Sequence, residues 1–111
     1  VSAVEGQFGR HKTVYHPHTN MAKAALNMMT RTSGEDYARD GIYMNSVDTG
    51  WVTDENPTHR RTRNQNELGF FAPLDIIDGM VRIYHPIAQG INEPEKPLFG
   101  LFLKDYAPCP W

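Results

Sequence analysis

Thr19 and Lys23 stand four residues apart within Thr19-Asn20-Met21-Ala22-Lys23-Ala24-Ala25-Leu26-Asn27-Met28-Met29-Thr30-Arg31-Thr32. On a helix, residues i and i+4 share a face, so an ammonium at Lys23 lies where it would favour the ionised form of a hydroxyl one turn earlier. A phenol, whose pKa begins near about 10, is a hydroxyl that such a neighbour could bring toward general acid/base work. Thr19 carries an aliphatic hydroxyl with a far higher pKa and a shorter reach. Tyr15 does carry a phenol, but Pro17 lies between it and Lys23, and two helical turns would separate the groups by roughly 12 Å. Taken alone, Thr19 reads as a residue helping to cap a first helical turn and Lys23 as a solvated helix lysine.

Two other clusters carry reactive residue types. His16-Pro17-His18, with His11 nearby, supplies too few ligands for the three or four that about every structural or catalytic zinc site uses, and no Cys or His-Glu-x-x-His partner accompanies it. No metal site is expected. His59-Arg60-Arg61-Thr62-Arg63 has the charge for phosphate contact. With a formal net charge of -2 and no interleaved aromatics, a solvated loop or helix face is the simpler reading, and nucleic acid is not an expected partner. No Gly-x-x-x-Gly-x-Gly loop occurs, and Gly6 and Gly9 lack the strand-to-helix setting of a phosphate cradle.

The elements that position these residues follow from pattern. Val1 to Gly6 reads as a strand end running into a glycine-marked loop, and the polar, His-rich stretch to Thr19 as a loop. Pro17 suits a first helical turn. Met21, Ala25, Leu26, Met28, Met29 and Tyr37 recur at helical spacing and predict core or helix-packing residues, with Gly41 as a left-handed C-cap. Ile42 to Val47 is a short buried strand broken by Asp48-Thr49-Gly50. Residues 54–72 are polar and charged, without a clear apolar period. Pro73 and Asp75 open a second helix carrying Ile76, Ile77, Met80, Val81, Ile83 and Tyr84, which Pro86 ends. A Pro/Gly/Glu loop over Gln89–Pro97 leads to an apolar strand, Leu98–Leu103.

At 111 residues and 40% hydrophobic content the chain is one small domain. Cys109 is the only cysteine, which favours a reducing, cytoplasmic setting, and no apolar run is long enough for a membrane span. The chain opens at Val1 in a strand-like run, as a cut end would. The predicted order is strand–helix–strand–helix–strand, an α/β pattern. Residues 1–111 are expected to be one partial domain, since a parallel sheet needs cover on both faces.

Four stretches together resemble the C-terminal half of the short-chain dehydrogenase/reductase family. The Thr19–Thr32 helix is similar to the family's Tyr-x-x-x-Lys helix. Val1–Gly6 resembles the Ser-Ser-x-x-Gly strand end. Ile42–Thr53 is similar to the strand and Pro-Gly-x-x-x-Thr loop, and Leu98–Tyr106 to the last strand. The resemblance implies a Rossmann-type doubly wound parallel sheet, of which this chain would be the C-terminal half. It also implies an NAD- or NADP-dependent oxidoreductase acting on a small carbonyl or alcohol substrate. Lys23 takes the lysine position, which in the family lowers the tyrosine pKa and holds the cofactor ribose. Thr19 and Ala3 stand where the catalytic Tyr and Ser are expected, with Ser2 one residue out of place. Gly50, Val52 and Thr53 fill cofactor-facing positions, and Lys23 is shared between catalysis and cofactor binding. Residues 54–72 would be the mobile substrate-side segment, and the helix over 17–40 a possible homodimer face. With Tyr and Ser replaced, the alternative is a catalytically inactive relative acting as a cofactor-sensing or dimerising binding protein.

Overall fold

The computed structural model describes residues 1–53, 58–67, 69 and 71–111. Its longest element is helix α1 (Pro17–Arg39), built on a run of strong helix formers from Ala22 to Met29. Pro17 occupies its first turn, where the missing N–H costs nothing. The N-cap is His16 in a left-handed conformation, with no side-chain cap, so Thr19 does not cap the helix as its position suggested. The other end closes as expected. Gly41 is left-handed (φ 76), its N–H donates to the Ala38 carbonyl, and Ile42 N–H donates to the Tyr37 carbonyl, both at 3.0 Å, which is a Schellman cap.

The expected half of a doubly wound parallel sheet is not formed. Strand β1 (Ser46–Val47) pairs in parallel with β2 (Phe102–Lys104), and β2 pairs antiparallel with β3 (Ala107–Cys109). The result is a small mixed sheet of order β1-β2-β3. Val1–Gly6 adds only an isolated parallel bridge, Ser2 to Asp48, before turning into a 3-10 turn at Val4–Gly6. The backbone accounts for the short strands. Ile42 N–H is consumed by the helix cap, and Asn45 spends its amide on the Leu98 carbonyl (2.8 Å) and the Leu101 N–H (3.3 Å). Gly100 is left-handed (φ 66), which breaks the predicted Leu98–Leu103 strand and delays the ladder to Phe102. β3 then returns through a tight turn at Asp105 and Tyr106.

Helix α3 (Ile76–Asn92) begins with a reciprocal capping box. Asp78 N–H donates to Asp75 Oδ1 and Asp75 N–H to Asp78 Oδ2, both at 2.9 Å. Pro86 lies inside this helix rather than ending it. The helix continues into a C-terminal turn held by Gln89, whose side chain donates to the Lys96 carbonyl (2.6 Å) and accepts from Leu98 N–H (3.2 Å). Within the 54–72 segment, residues 54–57, 68 and 70 lie outside the described residues. Thr58–Glu67 forms helix α2, on which His59, Arg60 and Arg63 are exposed and Arg63 pairs with Glu67 at 2.9 Å.

The packing of α1 reverses the sequence expectation. Its buried residues are Asn27, Thr30 and Gly34, whereas Met21, Met28 and Met29 are exposed (71%, 57% and 49%). The cause is the closeness of the seam. A Cβ at Gly6 would lie 2.6 Å from the Lys23 carbonyl carbon, and one at Gly34 would lie 2.7 Å from Gly100 Cα. Only small or hydrogen-bonding side chains fit there: Ser2 donates to Asn27 Oδ1 at 2.6 Å and Ser46 to Thr30 Oγ1 at 2.8 Å. Among the described residues, Val47, Phe102 and Leu103 form the buried apolar core. The accessible surface of 7963 Å² exceeds the roughly 6,200 Å² typical of a folded monomer of this mass. No described helix is long and apolar enough to cross a membrane.

Gly6→Ala is expected to destabilise the fold by about 1–3 kcal/mol, because the new methyl meets helix backbone that cannot rotate away. Gly9→Ala, with nothing within 4 Å of the added carbon, is expected to leave the urea midpoint within experimental scatter. Equal midpoints for the two variants would overturn the close α1 seam.

Candidate functional site

The ends of β1 and β2 and the 3-10 turn converge on one carboxylate. Asp48, 4% exposed, accepts from Val4 N–H through Oδ2 and from Gly50 N–H through Oδ1, each at 2.7 Å. Lys104 Nζ stands 3.8 Å from Oδ1. Asp48 therefore ties the turn after Ser2 to the turn after β1, with a cation from β2 offsetting its charge. The Gly50 bond is a local Asx-type turn, so an Asp two residues before a glycine was a legible signal. Its bond to Val4, 44 residues away, had no local signature.

Beside it, the β2–β3 turn places Asp105 (φ 47) and Tyr106 (φ 68) in the left-handed region, where non-glycine residues carry strain. Helix α3 holds that turn. Arg82 Nε lies 3.2 Å from Asp105 Oδ1, its guanidinium sits 5.0 Å from the Tyr106 ring centroid, and the His85 ring meets Tyr106 edge-on at 5.3 Å. The Arg82 hydrogen bond, followed by the Lys104 charge, holds the Asp105 carboxyl below its ordinary value of 3.8.

The residues expected to form a site divide between two neighbourhoods. Ala3, Thr19 and Lys23 gather near the 3-10 turn, which rests on the α1 backbone at Lys23 and Ala24. Thr19 and Lys23 are half-buried on one helix face, and Lys23 makes no ion pair among the described residues. Ser2 is not available as a stand-in for the missing serine: it is 3% exposed and its hydroxyl donates to Asn27. Tyr15 is 70% exposed in the preceding loop. Gly50, Val52 and Thr53 face the other neighbourhood. Gly50 (φ 75) packs on Leu74 Cδ1, Val52 Cγ2 lies against the Gly79 backbone, and the Thr53 carbonyl accepts from Trp51 Nε1 at 3.0 Å. Asp48 links the two groups through Val4 and Gly50.

Two hollows adjoin these elements. One, of about 190 Å³, lies between the 3-10 turn, the Arg10–His16 loop and the start of α1. The other, of about 500 Å³, is an apolar groove between β1 and α3 lined by Val47, Ile83, Ile87 and Leu98 among others. Among the described residues no group of three or more His, Cys, Asp or Glu side chains is placed to hold a metal, and the His16 and His18 rings meet edge-on with centroids 6.1 Å apart.

No family model matches the chain, and no solved structure matches it. It is similar to an uncharacterised protein of Acanthamoeba polyphaga mimivirus, 39% identical over 94 residues. The match takes in 78% of this chain and 20% of the viral protein, so the chain spans about a fifth of that relative's length. The likeness to short-chain dehydrogenases rests on the residues themselves.

Two measurements probe the junction. Asp48→Ala leaves two N–H groups without their acceptor and Lys104 with Asp105 alone, and is expected to cost about 3 kcal/mol in urea unfolding, a broken buried network rather than a surface change. Asp105 gives a pH signature. Its carboxyl is held low in the folded state, so its stabilisation is present above the ordinary carboxylate value and fades as pH falls through the lowered one. At an exposed position it amounts to less than about 1 kcal/mol after screening. The stability difference between wild type and Asp105→Asn is expected at neutral pH and should vanish in strong acid. A difference that grows on acidification would contradict the Arg82–Asp105 pairing.

Proposed function

We propose that this chain is a catalytically silent, nicotinamide-linked binding module related to short-chain dehydrogenase/reductases, with a reducing, cytoplasmic setting. The observation that carries the reading is the fate of the reacting positions. Ala3 has no hydroxyl, Thr19 has no group that ionises in the working range, and the nearest serine hydroxyl is buried and committed to Asn27. Lys23 remains half-buried and without an ionic partner among the described residues. The acid/base machinery is thereby lost while the ribose-holding position persists.

The residues present fit only one end of a dinucleotide. No described glycine-rich turn opens a helix after a strand, so a backbone cradle for the pyrophosphate is not among the described residues. Lys23 suits the nicotinamide ribose, and its ammonium would donate to ribose hydroxyls as a charge-assisted hydrogen bond. A bound nicotinamide supplies hydride chemistry; this chain's own part is to hold and orient. An active oxidoreductase is the competing reading.

The exposed stripe of Met21, Ala25, Met28 and Met29 on α1 supports a dimerising role, since large unpartnered apolar faces mark interaction surfaces. Met28→Glu is expected to convert a dimer of this chain to monomer in light scattering after gel filtration. A wild-type monomer at high concentration would sink the dimer.

For the cofactor side, nicotinamide riboside is expected to bind the wild-type protein and to lose about tenfold in affinity in Lys23→Ala. No carbonyl reduction with NADPH is expected from wild type. Turnover that survives purification to homogeneity would replace the silent reading with the oxidoreductase. A rate gained in Thr19→Tyr with Ala3→Ser would place those positions at the reacting centre.

A further inference from the structure

We propose that the hollow between the 3-10 turn and the start of α1 binds an anionic group, a carboxylate or a phosphate, carried by the small molecule this chain recognises. The hollow is lined by Arg10, His11, Lys12, His16 and Asn20, and also by Glu5. Its volume of about 190 Å³ suits one such group with part of its carrier. Two fixed cations share the wall with a single carboxylate, so the balance of charge there is positive.

The cations are uncommitted. Among the described residues neither Arg10 nor Lys12 forms an ion pair, although Glu5 lines the same space. Lys12 Nζ instead donates to the Glu5 main-chain carbonyl at 2.7 Å, which leaves its other N–H donors for a ligand. Arg10 offers the planar fork that pairs two donors with a carboxylate or phosphate. A third contribution comes from α1. The helix begins at Pro17 with no side-chain cap, so its N-terminal partial positive charge adds to that of the side chains. His16, whose left-handed backbone starts the helix, and Asn20 in the first turn both line the same space.

Position links this hollow to the ligand proposed above. Its wall residues Val4 and Asn20 directly follow Ala3 and Thr19, the two substituted reacting positions, and Lys23 lies one helical turn beyond Thr19. A molecule lying across Ala3 and Thr19 would present its charged end to Arg10 and Lys12. Assigning the anion to that same molecule rests on the nicotinamide-linked reading; the anion site itself does not.

The test uses the intact chain, with inorganic phosphate and succinate as separate probes, followed by amide chemical shifts and calorimetry. Either probe is expected to move the signals of Arg10 to Asn20 and to lose about tenfold or more in affinity in Arg10→Ala with Lys12→Ala. A control pair, Arg39→Ala with Lys96→Ala, removes the same charge from exposed positions elsewhere and is expected to change binding little. Preference for phosphate or for succinate identifies which anion the site takes. Absence of binding by both probes, or equal losses in the two double variants, would overturn the site. Nicotinamide riboside, which carries no phosphate, separates the two ideas. If it fails to bind while phosphate binds at Arg10 and Lys12, the anion site stands and the nicotinamide reading falls. If it binds and neither phosphate nor succinate does, the reverse holds.

Discussion

The buried carboxylate of Asp48 is the constraint on which the arrangement of this chain depends. A two-residue β1 and an isolated bridge at Ser2 supply few ladder bonds, so strand pairing alone fixes little of the site edge. Asp48 supplies the missing order by accepting from Val4 and Gly50 at 2.7 Å and by standing near Lys104. A buried charge is tolerated only when donors surround it, and that requirement works in reverse here: the three donor segments are drawn together because the charge must be satisfied. The 3-10 turn, the Gly50 turn and the end of β2 are consequently one unit.

The second organising feature is the narrow seam between α1 and the sheet. Gly6 against the helix backbone and Gly34 against Gly100 bring main chain to main chain, and the side chains that fit between are Ser2, Asn27, Ser46 and Thr30. Asn27 makes one bond through Oδ1 while its Nδ2 is buried without a partner. The seam is specified by shape and hydrogen bonding rather than by apolar bulk. One consequence is that the methionines of α1 are displaced to the opposite face. The face that an amphipathic reading assigns to the core is therefore the face available to another molecule.

These two features also decide the chemistry. Ser2 is consumed by the seam, so the loss of a hydroxyl at Ala3 has no local substitute. Lys23 escapes this fate because its backbone, not its side chain, meets Gly6. The hollow beside the start of its helix is walled by Arg10 and Lys12 together with His11, His16 and Glu5.

Local signals were readable directly. The start of α1 at Pro17, its Schellman end at Gly41 and the α3 opening at Asp75 depend on contacts within a few residues, and these were legible as written. Extent and facing were not. The predicted Ile42–Val47 and Leu98–Leu103 strands shrink because Asn45 and Gly100 divert their hydrogen bonds, and α3 runs through Pro86 because its ends are held by Asp78 and Gln89. The doubly wound sheet inferred from resemblance gives way to a small mixed one because β3 turns back at Asp105 and Tyr106, a left-handed pair with no glycine to announce it. By itself the sequence determined which residue types are present to react: a lysine, no tyrosine at Thr19 and no serine at Ala3. Tertiary structure alone decided which of those groups meet, because Asp48 and the Gly6 and Gly34 seams act between segments far apart in the chain.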